Sequence, residues 1–247
     1  MQLKIIGHRG AAGLVPENTI PSFLHALDLG CRYLELDVHS VRDLTGGHRL
    51  AVIHDNKLSR TTNLRGRVSD YTAQALALAD AGDAPIPMLD HTTQAICHWC
   101  RVAGIAADAI TLNVELKGSA TASSVADFIA ANKGDRINYL VSSFDHTELA
   151  HFRQCDANTP VAPLFGRWRS DWLQTASALR ASTVNLSHRI TTARRVTEIR
   201  DAGFHVWVYT VNTTGRAAHL AAMGVAGVFT DRPDRLLPKQ IEVGENL

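Results

Sequence analysis

Cysteine is scarce in this chain: four in 247 residues, at positions 31, 97, 100 and 155. That is too few for a disulfide framework at this length. Cys97 and Cys100 form a lone C-x-x-C with no second pair to complete a zinc site. They read instead as part of a buried helix face in a reducing compartment. Long hydrophobic runs are also missing, and none approaches the ~20 residues of a membrane span. An excess of one charge is absent as well. Twenty-five Lys and Arg stand against twenty-four Asp and Glu, a formal net charge of +1. Such a balance excludes a strong field for nucleic acid or for stable association with an anionic membrane. A signal peptide needs a basic start and an apolar stretch of about 7–15 residues. Here six residues lead straight into Gly7-His8-Arg9-Gly10, so the expectation is a cytoplasmic protein. No internal repeat or low-complexity segment stands out, and no G-x-G-x-x-G follows the first strand, which weighs against a doubly wound nucleotide-binding sheet.

What is present is an ordinary globular composition, 45% apolar and 20% charged, with length enough to bury a sizeable core. At about 150 residues per domain the length allows one large domain or two small ones. The order of elements chooses a single domain over residues 1–247. Strands are expected at 3–6, 33–39, 110–116, 137–142, 160–164, 183–186, 206–211 and 225–229. Helices are expected between most of them, including one that Asn18-Thr19 caps, one over 72–79 and one over 90–103. A further strand at 49–53 follows the turn-rich Thr45-Gly46-Gly47 too closely for a helical crossover. It reads as the return arm of a β-hairpin after the second strand. Eight parallel strands with intervening helices make an α/β fold of the TIM (β/α)₈ type, carrying that hairpin as an extension.

In such a barrel chemistry collects at the C-terminal ends of the strands. The first strand ends at His8-Arg9. The second carries Glu35, Asp37 and His39 at alternating positions, hence on one face. The strand at 110–116 does the same with Asn113, Glu115 and Lys117. The hairpin's return arm brings His54 back to the same end. Charges at i and i+2 usually mark the solvated face of a half-exposed strand. In a closed parallel barrel that face is packed, and unpaired carboxylates there are costly. Glu35, Asp37 and Glu115 therefore call for a cation, and an all-oxygen set favours Mg²⁺ or Ca²⁺ over Zn²⁺, with Mn²⁺ as an alternative. Three carboxylates and a divalent ion leave one negative charge. Arg9 and Lys117 turn this into one positive charge, which a phosphodiester would neutralise. His8 and His54 then serve as an acid–base pair, a role that suits imidazole because its unperturbed pKa lies near neutrality.

His8-Arg9-Gly10, Pro16-Glu17-Asn18-Thr19, Glu35-Leu36-Asp37-Val38, His54-Asp55, Glu115-Leu116-Lys117, Ser142-Ser143-Phe144, Thr210-Val211-Asn212 and Thr230-Asp231 together resemble, in order, the motif series of the glycerophosphodiester phosphodiesterase family. The resemblance spans residues 7 to about 233, and the compact form is similar to the family's bacterial cytoplasmic members. It implies a metal-dependent TIM barrel that hydrolyses small glycerophosphodiesters to an alcohol and sn-glycerol 3-phosphate. By the same resemblance Glu35, Asp37 and Glu115 hold the metal, His8 and His54 act as acid and base, and Arg9 and Lys117 hold phosphate oxygens. Either the glycerol 2-hydroxyl attacks phosphorus, giving a cyclic phosphate that water opens, or water attacks directly. Glu17 is expected to orient Arg9, Asn18 to cap the following helix, and Asp55 to orient the loop beside His54. The chain departs from the family pattern at Tyr209, where Trp is common, with Trp207 two residues earlier on the same strand face. One of these two rings is expected beside the glycerol. Two alternatives remain: a phospholipase D-like enzyme acting on lysophospholipids, with Trp168 and Trp172 as an apolar lip, and a non-catalytic phosphoester-binding barrel. Oligomeric state is not legible in the sequence.

Overall fold

A computed structural model describes residues 2–237. Nine strands form one sheet: β1 (Lys4–Gly7), β2 (Tyr33–Arg42), β3 (His48–Val52), β4 (Thr111–Lys117), β5 (Asn138–Ser143), β6 (Val161–Phe165), β7 (Thr183–Ser187), β8 (His205–Tyr209) and β9 (Gly227–Thr230). Eight are parallel in the order β1-β9-β8-β7-β6-β5-β4-β2, and β1 pairs with β2 to close the barrel. β3 lies outside it, antiparallel to β2 from Val38↔Val52 to Arg42↔His48. The TIM barrel with its hairpin is therefore the fold, and apart from β2 the strand bounds differ from the sequence expectation by a residue or two. The largest difference is β2, which runs three residues beyond His39 because β3 continues the ladder there.

The main helices are α1 (Ile20–Asp28), α2 (Ala73–Leu76), α3 (Leu89–Val102), α4 (Thr121–Ala131), α5 (His146–Cys155), α6 (Trp172–Ala178), α7 (Ala193–Asp201), α8 (Thr214–Ala222) and α9 (Pro233–Leu236). The helix expected over 72–79 is only the single turn α2. Thr19 caps α1, its side chain accepting from Ser22 N, with Pro21 in the first turn. On α3 the buried residues are Leu89, Thr92, Thr93, Ile96 and Cys100, a helical stripe facing the barrel. Cys97 and Cys100 are both free thiols, and Cys100 packs in the core as the sequence suggests.

Strands of a parallel barrel are buried on both faces. On β2, Leu34, Leu36 and Val38 point outward into the layer between sheet and helices, where all are fully buried. Val184, Leu186, Val206 and Val208 do the same on the opposite side. Inside the barrel, Ile6, Leu140, Ala162, Trp207 and Phe229 form a separate apolar plug. This plug fills the interior and leaves the polar positions of β2 and β4 at the C-terminal mouth. Among the described residues no helix is long and apolar enough to cross a membrane.

Candidate active site

The turn after β1 brings the first two site residues into place. Arg9 has left-handed backbone (φ 50), as does Gly10 (φ 86). A Cβ on Gly10 would lie 2.5 Å from Ser22 Oγ, so only glycine lets this turn press against α1. The bend aims Arg9 N–H at Glu35 Oε2, 2.9 Å away. Asn18 is also left-handed (φ 58). It does not cap α1 as expected, because Thr19 occupies that position. Instead Asn18 Nδ2 donates to Asp37 Oδ2 at 2.9 Å, and its Oδ1 accepts from Asp37 N at 3.3 Å. Glu17 Oε1 accepts from Arg9 Nη1 at 2.8 Å.

Register sets the carboxylates side by side: Glu35 is level with Asn113, Asp37 with Glu115, and His39 with Lys117. One oxygen each from Glu35, Asp37 and Glu115 lies within 4.8 Å of the others, and all three residues are buried. Lys117 is ion-paired to Glu115 and, at 3.2 Å, to Asp37; Arg9 Nε lies 3.2 Å from Asp37 Oδ2. Two cations thus face three buried carboxylates. Desolvation, reinforced by Asp37 and Glu115, holds the Glu35 carboxyl well above its ordinary range. Desolvation also dominates at Glu115, pushing it up to about 7 against the pull of Lys117. Burial opposes charge at Asp37 too, but Lys117, Arg9 and His54 outweigh it and hold that carboxyl below its usual range. Glu35 Oε1 and Asp37 Oδ1 are buried without a hydrogen-bond partner. Asp37 Oδ1 has only the off-line Lys117 ammonium.

Two imidazoles flank this cluster, each tied to a carboxylate. His8 Nδ1 lies 2.6 Å from Asp231 Oδ1, and His54 Nδ1 lies 2.6 Å from Asp55 Oδ1. Asp231 is itself fixed by Asn212, whose Nδ2 donates to Oδ2 at 2.8 Å and whose Oδ1 accepts Asp231 N–H at 2.9 Å. His8 Nε2 is 3.9 Å from Glu35 Oε2. On the other side, His39 Nε2 lies 3.2 Å from the His54 carbonyl oxygen, tying the end of β2 to the return arm. Burial lowers the His54 pKa; Asp37 opposes this, while Lys117 and Arg9 reinforce it. Hydrogen bonding from Arg60, then from His54, overcomes desolvation to hold Asp55 at about 2.

These groups open on a cavity of ≈ 220 Å³. His8, Arg9, Glu35, His54, Asn113 and Glu115 form its polar wall, and Phe144, Leu164, Tyr209 and Phe229 its apolar one. Of Trp207 and Tyr209, one of which is expected beside the glycerol, only Tyr209 is in that lining and Trp207 is not. It is 4% exposed and packs edge-on against Tyr33 and Phe229 inside the plug. Side chains two apart on a strand share a face but sit at different depths, and Trp207 is one layer too deep. The Tyr209 ring meets Phe144 edge-on at 5.6 Å, and its buried hydroxyl has no partner. A larger cleft, ≈ 580 Å³, surrounds Lys4, Arg32 and Tyr33 at the other end of the barrel. It holds none of these chemical groups, so chemistry rather than size marks the mouth.

Sequence reasoning attached no role to Asp231, Asn212, Phe144 or Arg60. The first three lie in the Thr-Asp, Thr-Val-Asn and Ser-Ser-Phe segments at strand ends, a position that itself flagged them. Trp168 and Trp172 do not form an apolar lip. Trp172 is buried with Nε1 donating to Glu198, and the Arg195 guanidinium covers Trp168 at 4.7 Å.

The family model described as the glycerophosphoryl diester phosphodiesterase family matches residues 8–235. A glycerophosphodiester phosphodiesterase of Bacillus altitudinis is 33% identical over 249 residues, 94% of this chain and 96% of the relative. A human lysophospholipase D is 42% identical over 67 residues, 27% of this chain and 20% of that one. Among solved structures, an Oleispira antarctica phosphodiesterase in complex with the product sn-glycerol-3-phosphate superposes with a TM-score of 0.83 at 24% identity, covering 94% of each chain.

Proposed function

The chain belongs to the glycerophosphoryl diester phosphodiesterase family, and from that premise we propose that its barrel mouth hydrolyses small glycerophosphodiesters to an alcohol and sn-glycerol 3-phosphate. The observation that carries the mechanism is one ≈ 220 Å³ cavity lined by two carboxylate-oriented imidazoles and by Glu35 and Glu115, which with Asp37 behind them form a buried trio of carboxylates. Glu35, Asp37 and Glu115 would hold a divalent cation. The fit rests on two buried oxygens without a hydrogen-bond donor, on a carboxylate cluster one positive charge short, and on an all-oxygen donor set suited to Mg²⁺, Ca²⁺ or Mn²⁺. When bound, such an ion stabilises negative charge on phosphoryl oxygens.

The protein's own groups do the rest. Arg9 and Lys117 flank the carboxylates and supply the positive charge that draws a phosphodiester in. Asp231 and Asp55 hold His8 and His54 through Nδ1, which leaves each Nε2 for proton transfer. One Nε2 takes the proton of the attacking hydroxyl, either the substrate's own glycerol 2-hydroxyl or water. The other delivers a proton to the departing alkoxide. Phe144, Leu164, Tyr209 and Phe229 give the carbon skeleton an apolar wall. Glu17 steadies Arg9, and Asn18 steadies Asp37.

The test is release of sn-glycerol 3-phosphate from glycerophosphocholine by metal-stripped protein, with and without added Mg²⁺, Ca²⁺ or Mn²⁺. Metal-dependent release, lost in Glu35→Ala and in His54→Ala, is the expected result. No release with any of the three ions sinks the assignment for that head group. Lysophosphatidylcholine, run in parallel, decides the phospholipase D-like alternative.

A further inference from the structure

Arg60 ends a 3₁₀ turn, Leu58–Arg60, in the segment after the hairpin. The turn is anchored by Leu58, which is fully buried. The Arg60 guanidinium uses all three of its nitrogens. Nη1 and Nη2 donate to Glu17 Oε2 and Oε1 at 2.9 and 2.7 Å, and Nε donates to Asp55 Oδ2. Glu17 Oε1 also accepts from Arg9, and Asp55 Oδ1 holds His54 Nδ1. A continuous chain of charge-assisted contacts therefore runs Arg9–Glu17–Arg60–Asp55–His54. It joins the loop after β1 to the return arm of the hairpin, two segments with no strand pairing to each other.

We infer that Arg60 is a positioning residue: its fork clamps Asp55 and Glu17 so that His54 and Arg9 face the same reacting phosphate. The inference rests on the hydrolase reading above. Two features argue for positioning over stabilisation. The Arg60 side chain is 47% exposed, and pairs this open to solvent add little to folding stability. Yet it grips Glu17 with two parallel bonds and Asp55 with a third from Nε, a geometry that only a planar guanidinium provides. Glu17 and Asp55 otherwise carry two like charges on two separate loops, and without the fork nothing else in the described structure bridges them. The clamp also sets the orientation of Asp55, because one carboxylate oxygen is committed to Arg60 and the other to the imidazole.

The experiment compares Arg60→Ala and Arg60→Lys with the unaltered protein, using glycerophosphocholine and the cation that supports its turnover. Expected is a fall in kcat of about tenfold or more in both variants, since misplaced second-sphere partners commonly have effects of that size. KM should change less than kcat. Lysine keeps the charge and loses the fork, so it should not restore the rate, whereas added methylguanidinium should partly rescue Arg60→Ala. Melting temperatures should stay close to that of the unaltered protein. A kcat within twofold in Arg60→Ala, or full activity in Arg60→Lys, overturns the inference. The imidazole ¹⁵N signals of His54 give a readout that does not need turnover. They should shift or broaden in Arg60→Ala, and unchanged signals would overturn the clamp. If the unaltered protein releases no sn-glycerol 3-phosphate, the hydrolase reading fails for that head group, and the His54 signals still judge the clamp.

Discussion

At the scale of single residues, the site is built from side chains whose burial is costly unless a neighbour compensates. Asn18 shows how narrow the compensation is. It sits in left-handed backbone, which asparagine tolerates better than most residues, and it spends both amide atoms on Asp37. Alanine there loses both contacts and leaves a buried carboxylate short of a donor. Asn18→Ala should be less stable by about 1–3 kcal/mol, measured by denaturant unfolding, because removing one partner exposes the other's full desolvation penalty. A change within experimental error would mean that Asp37 finds a replacement donor. The residue level was partly open in the sequence. Alternation along 33–39 and 113–117 by itself puts Glu35, Asp37, Glu115 and Lys117 on inward faces. Depth was not open, and that is why Trp207 and Tyr209 looked equivalent while only Tyr209 reaches the cavity.

At the scale of elements, each site residue depends on how a strand ends and the next helix begins. The β1–α1 connection is the clearest case. Gly10 turns the chain against Ser22, Arg9 follows the bend into the mouth, and Thr19 starts α1 with its side-chain oxygen on Ser22 N. Thr19→Ala removes that cap and should cost about 1 kcal/mol of stability in thermal or chemical unfolding. An unchanged stability would show that the cap bond is replaced by water or backbone. The hairpin is the other decisive element. A crossover helix would have carried the chain away from the mouth. The antiparallel return arm instead brings it back, and Ile53 N–H donates to the Asp37 carbonyl at 3.0 Å. His54 is delivered by that one bond's neighbourhood. Turn residues at 45–47 made the hairpin legible, whereas the irregular segment from 56 to 87 was not. Its Arg60 has no periodic pattern to mark it.

At the scale of the whole molecule, the closed barrel gathers charges that would not otherwise approach one another, and this links folding to pH. Burial raises Glu115 from an ordinary 4.5 to about 7 and raises Glu35 as well. Between those values the unfolded chain has released protons that the folded, metal-free site still holds. These two groups take up protons on folding, so their contribution to stability falls as pH rises from about 4.5 toward 7. The lowered pKa values of His39, His54 and His146 act in the opposite sense, so the comparison is with Glu115→Gln: the chelator-treated protein should lose more melting temperature across that window than the variant does. A divalent cation should raise the melting temperature most at the upper end, since it binds the deprotonated carboxylates. A melting temperature that falls no faster with pH in the metal-free protein than in Glu115→Gln, or a cation effect no larger at pH 7 than at pH 5, would contradict this account of the three carboxylates.

The sequence by itself determined the alternation of strands and helices, the inward face of β2 and β4, and the ordered motifs of the family. These are local properties, set by side-chain period and turn chemistry within a few residues. Only the tertiary structure decided which groups meet. His8 and Asp231 stand 223 residues apart in the chain and bond because β1 closes the barrel against β9. Arg60 and Glu17 stand 43 apart and meet because the hairpin folds back over the mouth. The separation of such pairs depends on barrel closure and strand stagger, a property of all the strands together that no short stretch of sequence contains.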